Sequence, residues 1–203
     1  MKRIYFTAIP LLSNFILEPC VPEPVNFKLQ DTSLRRFPII RIMSQTMQPG
    51  DEAVLVIVRQ KNSEHNPNYD AILEELKGLH LEHVEVKDLS LEESQDRNVV
   101  VGMFRSMLDV LEDNCCYYAC LTFGTKIWPL VLTSVFNYAE KVLEDTHIEG
   151  VYYQEALREN GKIVRHRLYD MSVLFALNSV VDMMAEDDVI NKESAIRTLL
   201  EGC

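Results

Sequence analysis

No apolar run in this chain approaches the roughly 20 residues that a membrane-spanning helix needs, and the N-terminus shows no signal-peptide pattern. Neither a membrane protein nor a secreted one is expected. Positive charge is scarce: 20 Lys and Arg stand against 31 Asp and Glu, giving a formal charge of −11 over 203 residues. Affinity for polymeric nucleic acid comes largely from many Lys and Arg contacts to phosphates, so a general DNA or RNA binder is excluded. A short anion remains compatible if a few cations gather locally. The five cysteines (Cys20, Cys115, Cys116, Cys120, Cys203) are odd in number and contain no Cys-x-x-Cys pair. They read as reduced, mostly buried thiols of a cytoplasmic protein, with no metal site and no cofactor implied. The first strand leads into Thr-Ala-Ile-Pro-Leu-Leu, not a glycine-rich turn, which counts against a dinucleotide-binding Rossmann enzyme. Neither an internal repeat nor a low-complexity linker is visible, so 1–203 reads as one domain.

What is present alternates between strand and helix patterns. Residues 3–9 are β-rich and end at Pro10; residues 11–38 are irregular, since Pro19, Pro22 and Pro24 forbid a continuous helix. A helix is expected over 34–47, with Pro38 complicating its start. Residues 53–58 are almost unbrokenly apolar, the pattern of a parallel strand covered on both faces. A polar loop over 59–68 precedes a helix at 69–79, a strand near 83–86 and an amphipathic helix over 95–112. Residues 117–121 form a buried strand, followed by a helix from Ile127 with Pro129 in its first turn. A strand at 150–154, a hairpin signal at 159–162, an antiparallel return over 163–168 and helices over 171–186 and 193–200 complete the chain. The expected fold is α/β and Rossmann-like: a mostly parallel sheet flanked by helices, with a C-terminal β-hairpin strand and closing helices.

Ligands of such sheets sit beyond the carboxyl ends of the strands. That rule gathers Thr7, Ala8, Ile9 and Pro10 after the first strand, Arg59 and Gln60 (with Lys61) after the second, and Thr122, Phe123, Gly124, Thr125 and Lys126 after the third. A strand ending in a Gly-Thr-Lys turn at a helix start offers free backbone N–H groups, hydroxyls and one cation, which suit a phosphate. The spacing is not that of a Walker A loop. The competing reading makes the turn purely structural, with Thr125 as the helix N-cap. Ser13 and Asn14 are either polar companions of the pocket or surface residues. His65, His83 and His166 have no partners at ligand spacing and read as surface residues. The 92–93 and 187–188 acidic pairs read as solvated turns or helix starts. Of Tyr152 and Tyr153, one is expected in the core and the other near a dimer face.

The Thr-Phe-Gly-Thr-Lys loop after an apolar strand, the proline and apolar helix behind it, and the strand Ile-Glu-Gly-Val-Tyr-Tyr-Gln-Glu at 148–155 together resemble the CARF domain. This is the CRISPR-associated Rossmann fold sensor of type III systems, and the resemblance is to its TM1812-like branch and covers most of the chain. It implies a homodimer that binds cyclic oligoadenylate, most often the tetra-adenylate, across its two-fold axis, where a symmetric ring meets an isologous interface. It implies Lys126 on a ring phosphate, Gly124 and Thr125 donating N–H groups, and Thr7 and Ile9 lining the adenine or ribose pocket. The family commonly carries an acidic residue shortly before the loop threonine, a place taken here by Cys120, two positions ahead of Thr122; that counts against activity needing a carboxylate there, not against phosphate binding. The outer stripe of the helix after the loop packs either on its own sheet alone or partly on a second subunit.

Nothing after Leu168 resembles an effector, so the chain is either a stand-alone sensor or the sensor part of a longer effector. The alternative is a ring nuclease in which Lys126, Thr7 and Thr122 align a ribose 2′-hydroxyl for in-line attack on the adjacent phosphate without metal. A mononucleotide- or dinucleotide-binding enzyme is the third reading.

Overall fold

The elements run β1 (Lys2–Ala8), β2 (Glu23–Val25), α1 (Pro38–Thr46), β3 (Glu52–Gln60), α2 (Pro67–Lys77), β4 (Val84–Leu91), α3 (Arg97–Leu108), β5 (Cys115–Cys120), α4 (Ile127–Val142), β6 (His147–Glu159), β7 (Lys162–Asp170) and α5 (Val173–Glu186). This is a computed structural model that describes residues 1–11, 14–61, 66–92, 94, 96–186, 191 and 196–197. The chain divides into two compact units, Met1–Met171 and Ser172–Cys203. The second holds α5, 14 residues long. The helix expected over 193–200 lies largely outside the described residues, as do Ser13, His65 and the 187–188 pair.

The sheet of the first unit has the order β2-β7-β6-β5-β1-β3-β4. Five neighbouring strands, β6-β5-β1-β3-β4, are parallel; β7 returns antiparallel to β6, and β2 pairs parallel with β7. The architecture is α/β and Rossmann-like. Chain direction through the sheet reverses beside β1, whose neighbours are β3 on one side and β5 on the other. The carboxyl ends of β1 and β5 therefore flank the crevice where such sheets bind ligands.

Burial explains why these strands are central. Every residue of β5 is buried, as are six consecutive residues of β3. Alternate residues serve two separate cores. Tyr5, Leu55, Ile57 and Tyr118 face α1 and α2, where they meet Ile39, Ile42, Met43 and Ile72. On the opposite face Phe6 and Tyr117 meet Phe136 of α4 at ring-centroid distances of 5.6 and 5.9 Å. Such edge-to-face pairs contribute about 0.5–1.5 kcal/mol each beyond the area they bury.

Several boundaries differ from the sequence reading for identifiable reasons. Helix α1 begins at Pro38, not residue 34, because proline takes the first helical position and forces Phe37 before it into an extended conformation (φ −111°, ψ 117°). No side chain of its own caps this helix; instead Glu75 of α2 accepts hydrogen bonds from the backbone N–H groups of Arg36 and Phe37 at 2.7 and 3.3 Å. Strand β3 runs to Gln60, so Arg59 and Gln60 are paired strand residues, not the start of a loop. Strand β4 reaches Leu91 alongside them. Helix α3 stops at Leu108, short of residue 112, through tight turns in which Val110 and Leu111 donate to Met107 and Leu108. The short β2 was not anticipated among the prolines. Strand β6 is 13 residues long and carries the hairpin well past the parallel sheet.

Candidate functional site

The loop 122–126 is shaped by close packing. Gly124 has φ +103°, and a β-carbon placed there would lie 2.8 Å from the Ala8 Cβ and 3.2 Å from Trp128 Cδ1. Both the left-handed backbone and the near contact demand glycine. The loop is thereby pressed onto the end of β1. Thr122 ties it to β6, its hydroxyl accepting from the Gln154 N–H at 2.8 Å, while Leu121 donates to Tyr152 O at 2.8 Å. Phe123 meets Phe37 edge-on at 6.3 Å. The helix cap is Lys126, not Thr125, and it makes no side-chain cap bond; Trp128 N–H bonds the Thr125 carbonyl at 3.2 Å. The backbone N–H groups of Gly124, Thr125 and Lys126 donate to no group among the described residues. An N-terminal helix turn with free donors attracts anions.

Two cavities open on either side of this loop. The first is a narrow crevice, about 20 Å³ of free volume, over the ends of β1, β3 and β4, reached by Ala8, Ile9, Arg59, Gln60, Gly124 and Thr125. Met103, Ile127 and Trp128 give it an apolar floor. It brings together six of the residues singled out in the sequence. Two of its lining side chains hold buried nitrogens with no partner among the described residues, Arg59 Nε and Trp128 Nε1. An unpaired buried donor costs about 1–3 kcal/mol, so a ligand that accepted from either would recover that. The Arg59 guanidinium otherwise sits 5.0 Å over the Tyr69 ring and 3.4 Å from Asp88, which also accepts from Tyr69 Oη at 2.7 Å. Burial and the Asp88 carboxylate push the Tyr69 phenol up to about 12.

The second cavity is an open groove of about 1320 Å³ between residues 15–21 and the β6–β7 hairpin. Pro10, Thr122 and Phe123 line it, together with Arg36, Gln154 and His166. Thr7 and Lys126 line neither cavity. Thr7 is 1% exposed, its hydroxyl donating to the Ala8 carbonyl at 3.3 Å; Lys126 is exposed on the surface. Cys120 is wholly buried against the Thr122 hydroxyl at 3.1 Å, and burial pushes its thiol up, so it stays protonated at neutral pH. Asn14 is exposed and lines neither cavity. His166 is half-buried in the groove instead of lying on the surface, 3.4 Å from Gln154; burial and the nearby Arg158 hold it below its ordinary value. Tyr152 is buried against Phe27 at 5.5 Å, while Tyr153 is exposed and stacks on Tyr169 at 6.4 Å.

Sequence reasoning missed the side chains that hold the groove wall in place. Asn66 caps α2 and donates to the Pro10 carbonyl at 2.7 Å. Asn68, fully buried, donates to Phe15 O and accepts from Leu17 N, both at 2.9 Å. Arg41, 1% exposed, donates to the carbonyls of Cys20 and Ser33 at 2.8 Å and to that of Asp31. Although burial opposes it, bonds from Ser33, Ser44 and Arg35 hold the Asp31 carboxyl well below the usual carboxylate range. The irregular segment after β1 is thus pinned at both ends by buried polar groups, each of them hydrogen-bonded. An Asn-x-Asn pair at a helix start and a lone arginine inside an apolar helix were the only signals in the sequence.

On α4, Val131, Leu132, Val135 and Phe136 are buried, whereas Leu130, Ser134, Tyr138 and Val142 recur at four-residue spacing on the outside. Among the described residues no three His, Cys, Asp or Glu side chains gather as a metal site, and no helix is long and apolar enough to cross a membrane. Scans of the sequence against protein-family models and against curated proteins return no match.

Proposed function

We propose that this chain is a sensor domain of type III CRISPR antiviral defence that binds cyclic oligoadenylate, foremost the tetra-adenylate, across a homodimer two-fold axis. The observation that carries the reading is the placement of loop 122–126. It lies at the point where the strand order reverses, with three backbone N–H groups, unpaired among the described residues, beside a narrow apolar crevice. The donors suit a phosphate. The outward stripe of Leu130, Tyr138 and Val142 on α4, 37–66% exposed, supports a second copy packing there. The sensor so formed would regulate an effector, fused or separate.

The nuclease alternative draws less support. It calls on Thr7, whose hydroxyl is buried and bonded to Ala8. Isothermal titration with cyclic tri-, tetra- and hexa-adenylate, followed by chromatography of each mixture, tests the proposal. One intact ring bound per two chains is the expected result. Cleaved ring would make the protein a ring nuclease, and no binding to any ring would end the reading.

A further inference from the structure

In a chain with a formal charge of −11, the groove beneath the β6–β7 hairpin concentrates positive charge. Arg158, Lys162 and Arg165 project from the hairpin, Glu18 and Glu23 are its acidic residues, and Arg36 on the opposite wall is already engaged by Glu75 at 3.4 Å and the Leu17 carbonyl at 3.0 Å. Arg158 and Lys162 are exposed and enter no ion pair among the described residues. Arg165 reaches Glu23 at 3.3 Å, but both side chains are more than half exposed, and such pairs yield readily to a stronger anion. The lips are apolar: Phe15, Ile16 and Val21 on one side, Ile163 and Val164 on the other, all 44–52% exposed.

We infer that this groove is a binding site for a short single-stranded oligonucleotide, its phosphodiesters on the hairpin cations and a base stacked on Phe15. Three features select this occupant. The volume of about 1320 Å³ exceeds the roughly 300–1,000 Å³ of a small-molecule pocket, so an oligomer fits better than a mononucleotide. Guanidinium groups bind phosphate through paired N–H donors, and a cationic track beside an aromatic ring is how single strands are held without sequence choice. The wall is preorganised, because Asn68 fixes Phe15 and Leu17 while Arg41 fixes Cys20. The acidity of the remaining surface confines binding to the groove and keeps it short. The inference does not depend on the cyclic messenger, since its cations lie on the hairpin and not on loop 122–126.

Fluorescence anisotropy with a linear 5′-fluorescein-labelled decamer of oligoadenylate tests it. Saturable binding is expected at low salt, with a log–log salt slope of about −1.4 to −2.1, the value for two to three phosphates on a single strand. The variant Arg158→Ala/Lys162→Ala/Arg165→Ala, altered at exposed hairpin positions, should bind at least roughly tenfold more weakly with a flattened slope. Phe15→Ala should weaken binding by roughly fivefold or more and leave the slope unchanged, because it removes stacking and not charge. This second variant decides the matter if the triple variant does not fold. Absence of saturable binding by the unaltered protein, or equal affinity in the variants, overturns the inference. Displacement of the probe by polyglutamate at equal charge overturns it too, and would assign the groove to acidic peptides. Failure of cyclic rings to bind would leave this measurement untouched, because the probe is linear.

Discussion

The crevice and the groove share one dividing loop and differ in nearly everything else. The crevice is narrow and mostly apolar, bounded by the buried end of β1 and the half-buried ends of β3 and β4. The groove is open and cationic, and it is built from a hairpin held by strand pairing and an irregular segment held by side-chain hydrogen bonds. Sheet topology creates the first, since every doubly wound sheet leaves a crevice where its strand order reverses. Individual polar residues create the second. Substitutions should therefore affect the two regions by different mechanisms: packing in one, pinning in the other.

The largest contrast is between two glycines. Gly124→Val places a branched side chain at positive φ and within 2.8 Å of Ala8, so a loss of roughly 2–4 kcal/mol in urea denaturation is expected. Gly161, at the hairpin tip, also has positive φ (+79°), but a β-carbon there would meet nothing within 4 Å; Gly161→Ala should cost about 1 kcal/mol. Equal losses would break the comparison.

Next in size is the pinning of the groove wall. Asn68→Ala removes the partners of Phe15 O and Leu17 N and should cost about 1–3 kcal/mol. Limited proteolysis should then cut within residues 14–21 faster than in the unaltered protein, with the crevice end of β1 still protected.

The smallest effect lies at the other end of the strands. Burial works to raise the Asp51 carboxyl, but bonds from Arg3 at 2.6 Å, the N-terminal amine at 3.0 Å and the Gln48 N–H at 3.0 Å bring it down to about 2. A carboxyl lowered on folding contributes stability above its unfolded value near 4, and that contribution is lost as pH falls from about 4 toward 2. Melting temperatures measured from pH 6 to pH 3 should fall across that window. Asp51→Asn should flatten the dependence by about 1–2 kcal/mol.

The same contrast explains how much of the molecule was legible in its sequence. Strands β3 and β5 were readable because burial on both faces leaves an apolar run, and β1 because an alternating β-rich segment ends at Pro10, all purely local signals. The crevice residues followed, since strand ends and a topology rule sufficed to gather Ala8, Ile9, Arg59, Gln60, Gly124 and Thr125. The groove was not readable. Its walls depend on Asn68 meeting Phe15, on Arg41 meeting Cys20, and on a hairpin that crosses above both, contacts between residues 21 to more than 100 positions apart. Strand β2 was hidden for a similar reason: three residues among prolines carry no periodicity, and only pairing with β7 makes them a strand. Thr7 shows the limit of the topology rule, since it lies on a strand end yet points into the core.

Amide hydrogen exchange of the loop, with and without cyclic tetra-adenylate, addresses the central claim most directly. Peptides covering residues 121–128 should exchange rapidly in the free protein, because the N–H groups of Gly124, Thr125 and Lys126 have no partner among the described residues. Addition of the ring should slow them, with little change at the hairpin tip. Exchange in the loop that is already slow without ligand, or that is unaltered at millimolar ring, would contradict the account.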